Sequence, residues 1–433
     1  MSQSIAGASP RGTRTLAPLL ATAGIWIGAA VVMVLLPQLF SSGASLTKLC
    51  LMGIMIIFAL AYNMLLGQTG MLSFGHAVYY GLGGFFAAHA MMIISGDRLP
   101  VPLAAVPLVG AVTGLVFGII FGAASTRRSG TAFAMISLGI VELVAALALV
   151  MTGFFGGEQG VSFNRTRALA LFGWKFGPQI QVYYLIAAWC LVSMAAMYFI
   201  TRTPFGRMCL AVRENPERAA FVGYSTQGIR FIAFCLSGLF AGIAGALAAI
   251  NFEIASNSML SAQQSGVVLL MTYIGGVGHF AGPIVGAILI TLLQSSLSDI
   301  TGAWQLYFGI MFILVVMFVP GGLAGLITMH GPLARAGLLS RLAGPYLRAL
   351  VPGLMLVAGC ALIIELTYKL TVERAKSSIL NLGPLPLDAA TATPWIAALV
   401  LLVLGVWTLR LMGPGIAEAV SAVRAEAAAR AGS

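Results

Sequence analysis

Few residues in this chain can do acid–base, metal or phosphate chemistry, and their settings restrict what that chemistry can be. Glu142 stands in the middle of the apolar run 130–153, within Ser137-Leu138-Gly139-Ile140-Val141-Glu142-Leu143. An ionisable group at bilayer depth costs about 2.5–3.5 kcal/mol on insertion scales, so it calls for an explanation. It is expected to face the bundle interior, and two readings stand: a functional one, in which the carboxylate binds an ammonium group or a proton, and a structural one, in which it pairs with a polar group such as His76 or His89. His76 lies in a glycine-rich stretch and reads equally as the lining of a path or as packing, whereas His89 on an apolar helix and Glu365 near the end of an apolar run read as structural. The four histidines (His76, His89, His279, His330) show no i,i+4 pairing and no Cys, Asp or Glu at metal spacing, which argues against a metal centre. None of the four lysines (Lys48, Lys175, Lys369, Lys376) follows a glycine, so the Gly-Lys end of a P-loop is missing and ATP is not bound by that route. No catalytic, cofactor or metal site is expected, and the five cysteines, odd in number and widely spaced, read as small core residues.

The elements that must carry these residues are membrane helices. With 60% of the 433 residues hydrophobic and only 8% charged, and a mean hydropathy of +1.00, too few charges remain to cover a soluble surface. Apolar runs much longer than barrel strands specify an all-α, polytopic transmembrane bundle, since helices satisfy their own backbone in hydrocarbon. The expected spans are 16–36, 46–66, 72–94, 101–125, 130–153, 182–200, 229–250, a broken pair at 263–275 and 283–297, then 304–327, 347–368 and 393–412. The first has no Ala-x-Ala cleavage site and reads as a retained helix. Placing the amino terminus in the cytoplasm leaves only Lys48, Arg98, Arg165, Arg167, Lys175, Lys369, Arg374 and Lys376 outside, out of 23 Lys and Arg. The positive-inside rule supports that orientation, and the net charge of +11 then belongs to short cytoplasmic loops and not to a nucleic-acid surface.

Glycine breaks the helical pattern at two places, Gly67-Gln68-Thr69-Gly70-Met71-Leu72-Ser73-Phe74-Gly75-His76 and Gly275-Gly276-Val277-Gly278-His279-Phe280-Ala281-Gly282-Pro283. Irregular backbone at membrane depth is tolerated only where it is buried in protein or lines a watery cavity. Both stretches are candidates for a translocation path, and their similar make-up fits an internal duplication; close helix packing is the plainer reading. That plainer reading applies outright to Gly238-Leu239-Phe240-Ala241-Gly242-Ile243-Ala244-Gly245. A third departure is the polar loop 201–228, with Arg202, Arg207, Arg213 and Arg218, a preformed helix start at Asn215-Pro216, and Glu217-Arg218-Ala219-Ala220-Phe221-Val222-Gly223. The glycine there lets the chain turn away after a short helix.

These segments resemble the permease subunits of high-affinity branched-chain amino-acid ABC importers, of the LivM type. The resemblance rests on four stretches in order: Asn63 to Ala77, Ala211-Val212-Arg213-Glu214-Asn215-Pro216-Glu217-Arg218-Ala219-Ala220 with Gly223, Ala233 to Leu247, and Gly275-Gly276-Val277-Gly278 followed by Gly282-Pro283-Ile284-Val285-Gly286-Ala287. It covers about residues 40–327 and implies the ABC importer permease fold, with about ten core helices followed here by two more. It implies also that the short helix bearing Glu217, Ala219 and Gly223, with Arg213, Glu214 and Asn215 before it, docks on a separate ATPase. The implied partners are a second, related permease, two cytoplasmic ATPases that bind ATP and magnesium, an external substrate-binding protein and the lipid bilayer of a bacterial inner membrane, with no nucleic acid.

The expected organisation is a cytoplasmic tail at 1–15, a permease domain at 16–327 and an extension at 328–433, where the resemblance stops. The extension carries two apolar helices and a tail, Ile416 to Arg430, that reads as a solvated helical end with ATPase contact as the alternative. Both termini are expected in the cytoplasm. The expected function is passage of a branched-chain or other apolar amino acid, or of urea or a short amide, powered by ATP in partner subunits. Gln68, Ser73, Gly75, His76, Glu142, Met271 and Tyr273 are the expected lining: a mostly apolar route with a few polar groups. A proton-coupled carrier using Glu142 and a membrane scaffold or receptor without transport are the rival readings.

Overall fold

Self-satisfied backbone makes the chain helical almost from end to end. The computed structural model describes residues 17–95, 101–169, 174–319, 321–335, 337–372, 379–382 and 385–432. The expected tail 1–15 and the positions of Arg98, Pro320, Arg374 and Lys376 lie outside the described residues. The helices are α1 (Ala17–Leu39), α2 (Gly43–Thr69), α3 (Ala77–Ser95), α4 (Val106–Ser125), α5 (Thr131–Val150), α6 (Thr152–Phe155), α7 (Gln179–Arg202), α8 (Pro204–Glu214), α9 (Pro216–Phe221), α10 (Thr226–Phe252), α11 (Ala262–Gly275), α12 (Ala281–Ile300), α13 (Trp304–Phe318), α14 (Gly322–Arg335), α15 (Leu339–Thr371) and α16 (Ala392–Gly432). Two antiparallel pairs complete them, β1 (Val161–Ser162) with β2 (Ile254–Ala255) and β3 (Ile379–Leu382) with β4 (Leu385–Asp388).

Among the described residues nine helices are long and apolar enough to cross a membrane, ten if the bent pair α13 and α14 makes one span. The twelve crossings expected from sequence included α11, but its 14 residues reach only about 21 Å, short of the roughly 30 Å hydrocarbon core. The span expected at 304–327 is bent by 43° between α13 and α14, where Gly322 has φ +59°. The boundary expected at 327/328 therefore falls inside α14. The helix expected from residue 72 starts at Ala77, because 70–76 stay irregular.

The chain divides into two compact units. The first comprises residues up to Phe58, His76–Arg127 and Gly139–Ser261. Its centre is a wedge of α3, α4 and α10 packed backbone to backbone. Gly110, Gly114, Gly118 and Gly122 recur every fourth residue along α4 and face α10. A Cβ added at Gly238 would lie 2.7 Å from the Gly114 carbonyl, and one added at Gly114 would run into the Gly238 carbonyl. Small residues at this spacing are what allow helices to approach so closely, as read from sequence for 238–245.

The second unit comprises Ala59–Gly75, Arg128–Leu138 and Ala262–Ser433. There α11 and α12 meet through Gly275, Gly282 and Gly286, and Gly276 (φ +120°) and Gly278 (φ +95°) make the turn between them. Helices α15 and α16 form an antiparallel hairpin, with Gly359 against Leu402 and Gly405 against Leu356. The hairpin is tied to α13 where the Tyr307 hydroxyl donates to Glu365 Oε1 at 2.9 Å, and to α14 where His330 Nε2 meets the Tyr346 hydroxyl at 2.7 Å. Glu365 is thus structural, as its sequence setting suggested. The tail does not simply end in solvent: Val423 is buried with Leu338 and Leu342, and Glu426 pairs with Arg341 at 2.7 Å.

The α4–α10 contact yields a stability prediction. Gly114→Val forces branched carbons against the α10 backbone and should destabilise the protein by about 1–3 kcal/mol. Gly309→Val, where a Cβ meets nothing within 4 Å, should stay within about 0.5 kcal/mol. Thermal unfolding in detergent checks the pair; equal shifts would contradict the wedge.

Candidate functional site

The loop between α7 and α10 is built as two capped helices on a shared core. Thr203 caps α8, its hydroxyl accepting from the Gly206 amide, and Pro204 occupies the first turn, where no amide donor is needed. Cys209 and Val212 of α8 are buried with Ala219 of α9 and Ile229 and Ala233 of α10, and Phe205 and Met208 pack against them. The loop is therefore fastened to the start of α10. Burial pushes the Cys209 thiol up to about 12, which keeps it protonated and unreactive near neutral pH.

Each residue of the Glu217, Ala219, Gly223 spacing has a separable physical task. Asn215 caps α9, its Oδ1 accepting from the Arg218 amide at 2.9 Å. Glu217 follows in the first turn, where a carboxylate favours the positive helix end. Ala219 is small enough to bury its side against the core. Gly223, with φ +92°, ends α9 in a Schellman arrangement: the Tyr224 amide donates to the Ala219 carbonyl at 3.1 Å and the Gly223 amide to the Ala220 carbonyl at 2.9 Å. Helix α7 ends at Arg202 and α10 begins at Thr226, so the loop with its two short helices occupies 203–225 within the expected 201–228. Arg213 and Glu214 are exposed. Sequence reading missed the apolar tip, where Phe221 and Val222 are 89% and 71% exposed; two large apolar side chains in an arginine-rich loop were its signal.

The expected path residues are divided between the two units. Gln68, Ser73, Gly75, Met271 and Tyr273 fall in the second unit, whereas His76 and Glu142 fall in the first. In the break after α2, Ser73 is buried, its carbonyl accepts from the Tyr62 hydroxyl at 2.8 Å, and its hydroxyl accepts from the Gly75 amide. The Phe74 amide donates to Ser137 Oγ at 3.0 Å, and a Cβ on Gly75 would collide with the Ser137 carbonyl. Ser73 and Gly75 thus hold the break together. Gln68 differs: its Oε1 is shielded from solvent, like Asn63 Oδ1, and neither has a hydrogen-bond partner among the described residues. Met271 is buried beside the close approach of Gly286, and Tyr273 is half-buried, edge-on to Phe312 at 5.8 Å.

His76 is fully buried in the first unit, with Nε2 3.2 Å from Ser237 Oγ and its ring stacked on Phe58. His89 Nε2 meets the Phe154 carbonyl at 2.7 Å. Glu142 pairs with neither histidine. The expectation that it faces the bundle interior is wrong: Glu142 is exposed on α5, as are Gly139 and Ala146 on the same face. A mid-run carboxylate turns outward here because Val141, Val144 and Ala148 take the inward positions of α5, and helical period leaves residue 142 on the other side.

Residues 45–320 match the family model described as branched-chain amino acid transport system, permease component. The chain belongs to that family. It is 28% identical over 292 residues to the high-affinity branched-chain amino acid transport system permease protein LivM of Escherichia coli (strain K12), covering 62% of this chain and 67% of the relative. It is 23% identical over 325 residues to the probable LivM of Methanocaldococcus jannaschii, covering 63% of this chain and 90% of that one. The probable LivH of the same organism is 22% identical over 288 residues, covering 63% and 89%. No solved structure matches the chain. The matched region contains the loop, both glycine breaks and Glu142, and residues beyond 320 lie outside it.

The caps predict how the loop resists protease. Asn215→Ala removes an N-cap worth about 1 kcal/mol, and Gly223→Val puts a branched side chain at φ +92°, where L-residues are strained by about 1–2 kcal/mol. Each should speed limited trypsin cleavage at Arg213 and Arg218 by about fivefold. Unchanged cleavage in both would show that the caps do not hold the loop.

Proposed function

We propose that this chain is one transmembrane half of an ABC importer for branched-chain or similarly apolar amino acids, working with a second related permease, two ATPases and an external binding protein. The observation that carries the reading is the doubly capped loop 203–225 in a chain of this permease family. It sits in a bacterial inner membrane with both termini and the loop on the cytoplasmic side. Residues 16–327 supply the permease domain and 328–433 an extension to it. In this reading closure of the ATPases on ATP pushes the tip of α9. The buried core under the loop passes the push to α10, and the junction at Thr203 passes it to α7, which tilts both helices.

The route we infer is largely apolar, with a few unsatisfied acceptors. The amide oxygens of Gln68 and Asn63 lack partners among the described residues, and an ammonium group or water in the path would supply the missing donors. Glu142 cannot economically face lipid at mid-helix, so we place its exposed face against the second permease or the water-lined route between the two. Ser73 and Gly75 then shape the path by holding the break after α2, with Met271 and Tyr273 on α11 of the same unit, and His76 is proposed as a lining residue of the first unit.

A proton-coupled carrier would need Glu142 to load and release a proton in each cycle; an ATP-driven permease would not. With the complex in proteoliposomes and leucine as probe, Glu142→Gln should keep uptake within about threefold of the native level, and a protonophore at constant ATP should leave uptake running. Gly223→Val should hold basal ATP hydrolysis within about twofold while uptake falls about tenfold. Uptake that dies with the proton gradient at constant ATP would contradict the importer reading.

A further inference from the structure

Arg165 has no part in the function so far, yet among the described residues it is the only Arg, Lys, Asp or Glu in the buried class, at 8% exposed. A buried charge persists only where it is paired and its donors are used. Its Nε donates to the Phe176 carbonyl at 2.9 Å and lies 3.0 Å from Glu253 Oε1. Nη1 donates to the carbonyls of Asn251 at 3.1 Å and Ile250 at 3.4 Å. Nη2 donates to the Gly177 carbonyl at 3.2 Å and to Gln179 Oε1 at 3.1 Å. Gln179 Nε2 in turn donates to Asn251 Oδ1 at 2.7 Å.

These partners lie on three elements. Gln179 begins α7, Ile250 and Asn251 close α10, and Phe176 and Gly177 belong to the segment that precedes α7. The same segment is joined to the end of α10 a second time, by β1 with β2 and by the Phe163 amide donating to the Glu253 carbonyl. A guanidinium is suited to this place because the last carbonyls of a helix lack donors and carry its negative end. Helices α7 and α10 are thus fastened to each other at both ends, by the core of the 203–225 loop at one and by Arg165 at the other.

We propose that Arg165 is a positioning residue of the transport cycle, which passes the tilt of α7 and α10 to residues 161–169 and 174–178 on the opposite, external face. The inference rests on the ABC permease reading, in which the loop at the other end of the same two helices receives the ATPase stroke. Glu253, held at φ +57° at the end of α10, supplies the counter-charge, and Gln179 with Asn251 forms the direct tie between the helices. A lysine replaces the guanidinium only in part, since three donors on a single nitrogen cannot reach all the acceptors that Nε, Nη1 and Nη2 serve from different sides.

The test uses the assembled complex in proteoliposomes, with ATP, binding protein and radiolabelled leucine. Arg165→Gln and Arg165→Lys should keep basal ATP hydrolysis within about twofold while leucine carried per ATP falls about tenfold for Gln and less for Lys. A second arm places Gln179→Cys and Asn251→Cys in an Arg165→Gln, Cys50→Ser background, the latter because Cys50 Sγ lies 3.6 Å from Gln179 Nε2. Oxidation should restore thermal stability by rejoining α7 to α10 and leave leucine per ATP low, because Phe176 and Gly177 lose their guanidinium ties and only the β1–β2 pair with the Phe163 amide then joins the segment to α10. Native leucine per ATP in both Arg165 variants would overturn the proposal, as would full recovery on oxidation. A native complex without ATP-driven uptake would instead remove the permease reading, and this proposal with it.

Discussion

In hydrocarbon every backbone amide and carbonyl has to find its partner within the protein, and the placement of everything else here depends on that constraint. Wherever the helical ladder stops, other groups take over. After α2, the Tyr62 hydroxyl, Ser73 Oγ and Ser137 Oγ serve the irregular backbone of 73–75. At the end of α10 the guanidinium of Arg165 serves the orphaned carbonyls. At the end of α9 no side chain is needed, because Gly223 turns the chain so that the next two amides close back on the helix.

Close packing through glycine and charge at the helix ends divide the work between them. The α4–α10 wedge gives the first unit a centre in which backbones touch and nothing can shift by much. Under the proposed function, a stroke delivered to such an assembly would move it as a body. The parts proposed to receive and pass it on lie at the helix ends, where Asn215 and Gly223 bound α9 and Arg165 serves the end of α10. Helices α15 and α16 follow the same habits: glycines where the two helices meet, and single polar ties, Tyr307 to Glu365 and His330 to Tyr346, where they join α13 and α14.

Much of this was legible in the residues. Long apolar runs specified helices, glycine clusters marked the breaks at 70–76 and 276–280, and Asn215-Pro216 with Gly223 marked both ends of α9. What escaped has physical reasons. Membrane helices are apolar on every side, so periodicity does not say which face turns inward, and Glu142 was placed inside when it is outside. The run 304–327 looked continuous because hydropathy does not register a bend of 43°. Arg165 looked like one more external basic residue, since its acceptors are mostly backbone carbonyls from residues as far away as 250 and 251, and carbonyls leave no mark in a sequence. The four glycines of α4 were visible at i, i+4 spacing, but their partner helix was not.

We propose that the loop 203–225 is the place where an ATPase grips this chain. The most direct measurement is the reactivity of a single cysteine at the exposed tip. With Cys360, the one exposed native cysteine among the described residues, replaced by serine, Phe221→Cys or Val222→Cys should react freely with a water-soluble maleimide in the permease pair alone and become protected once the ATPase subunits are bound. Equal reactivity with and without the ATPases would contradict the account.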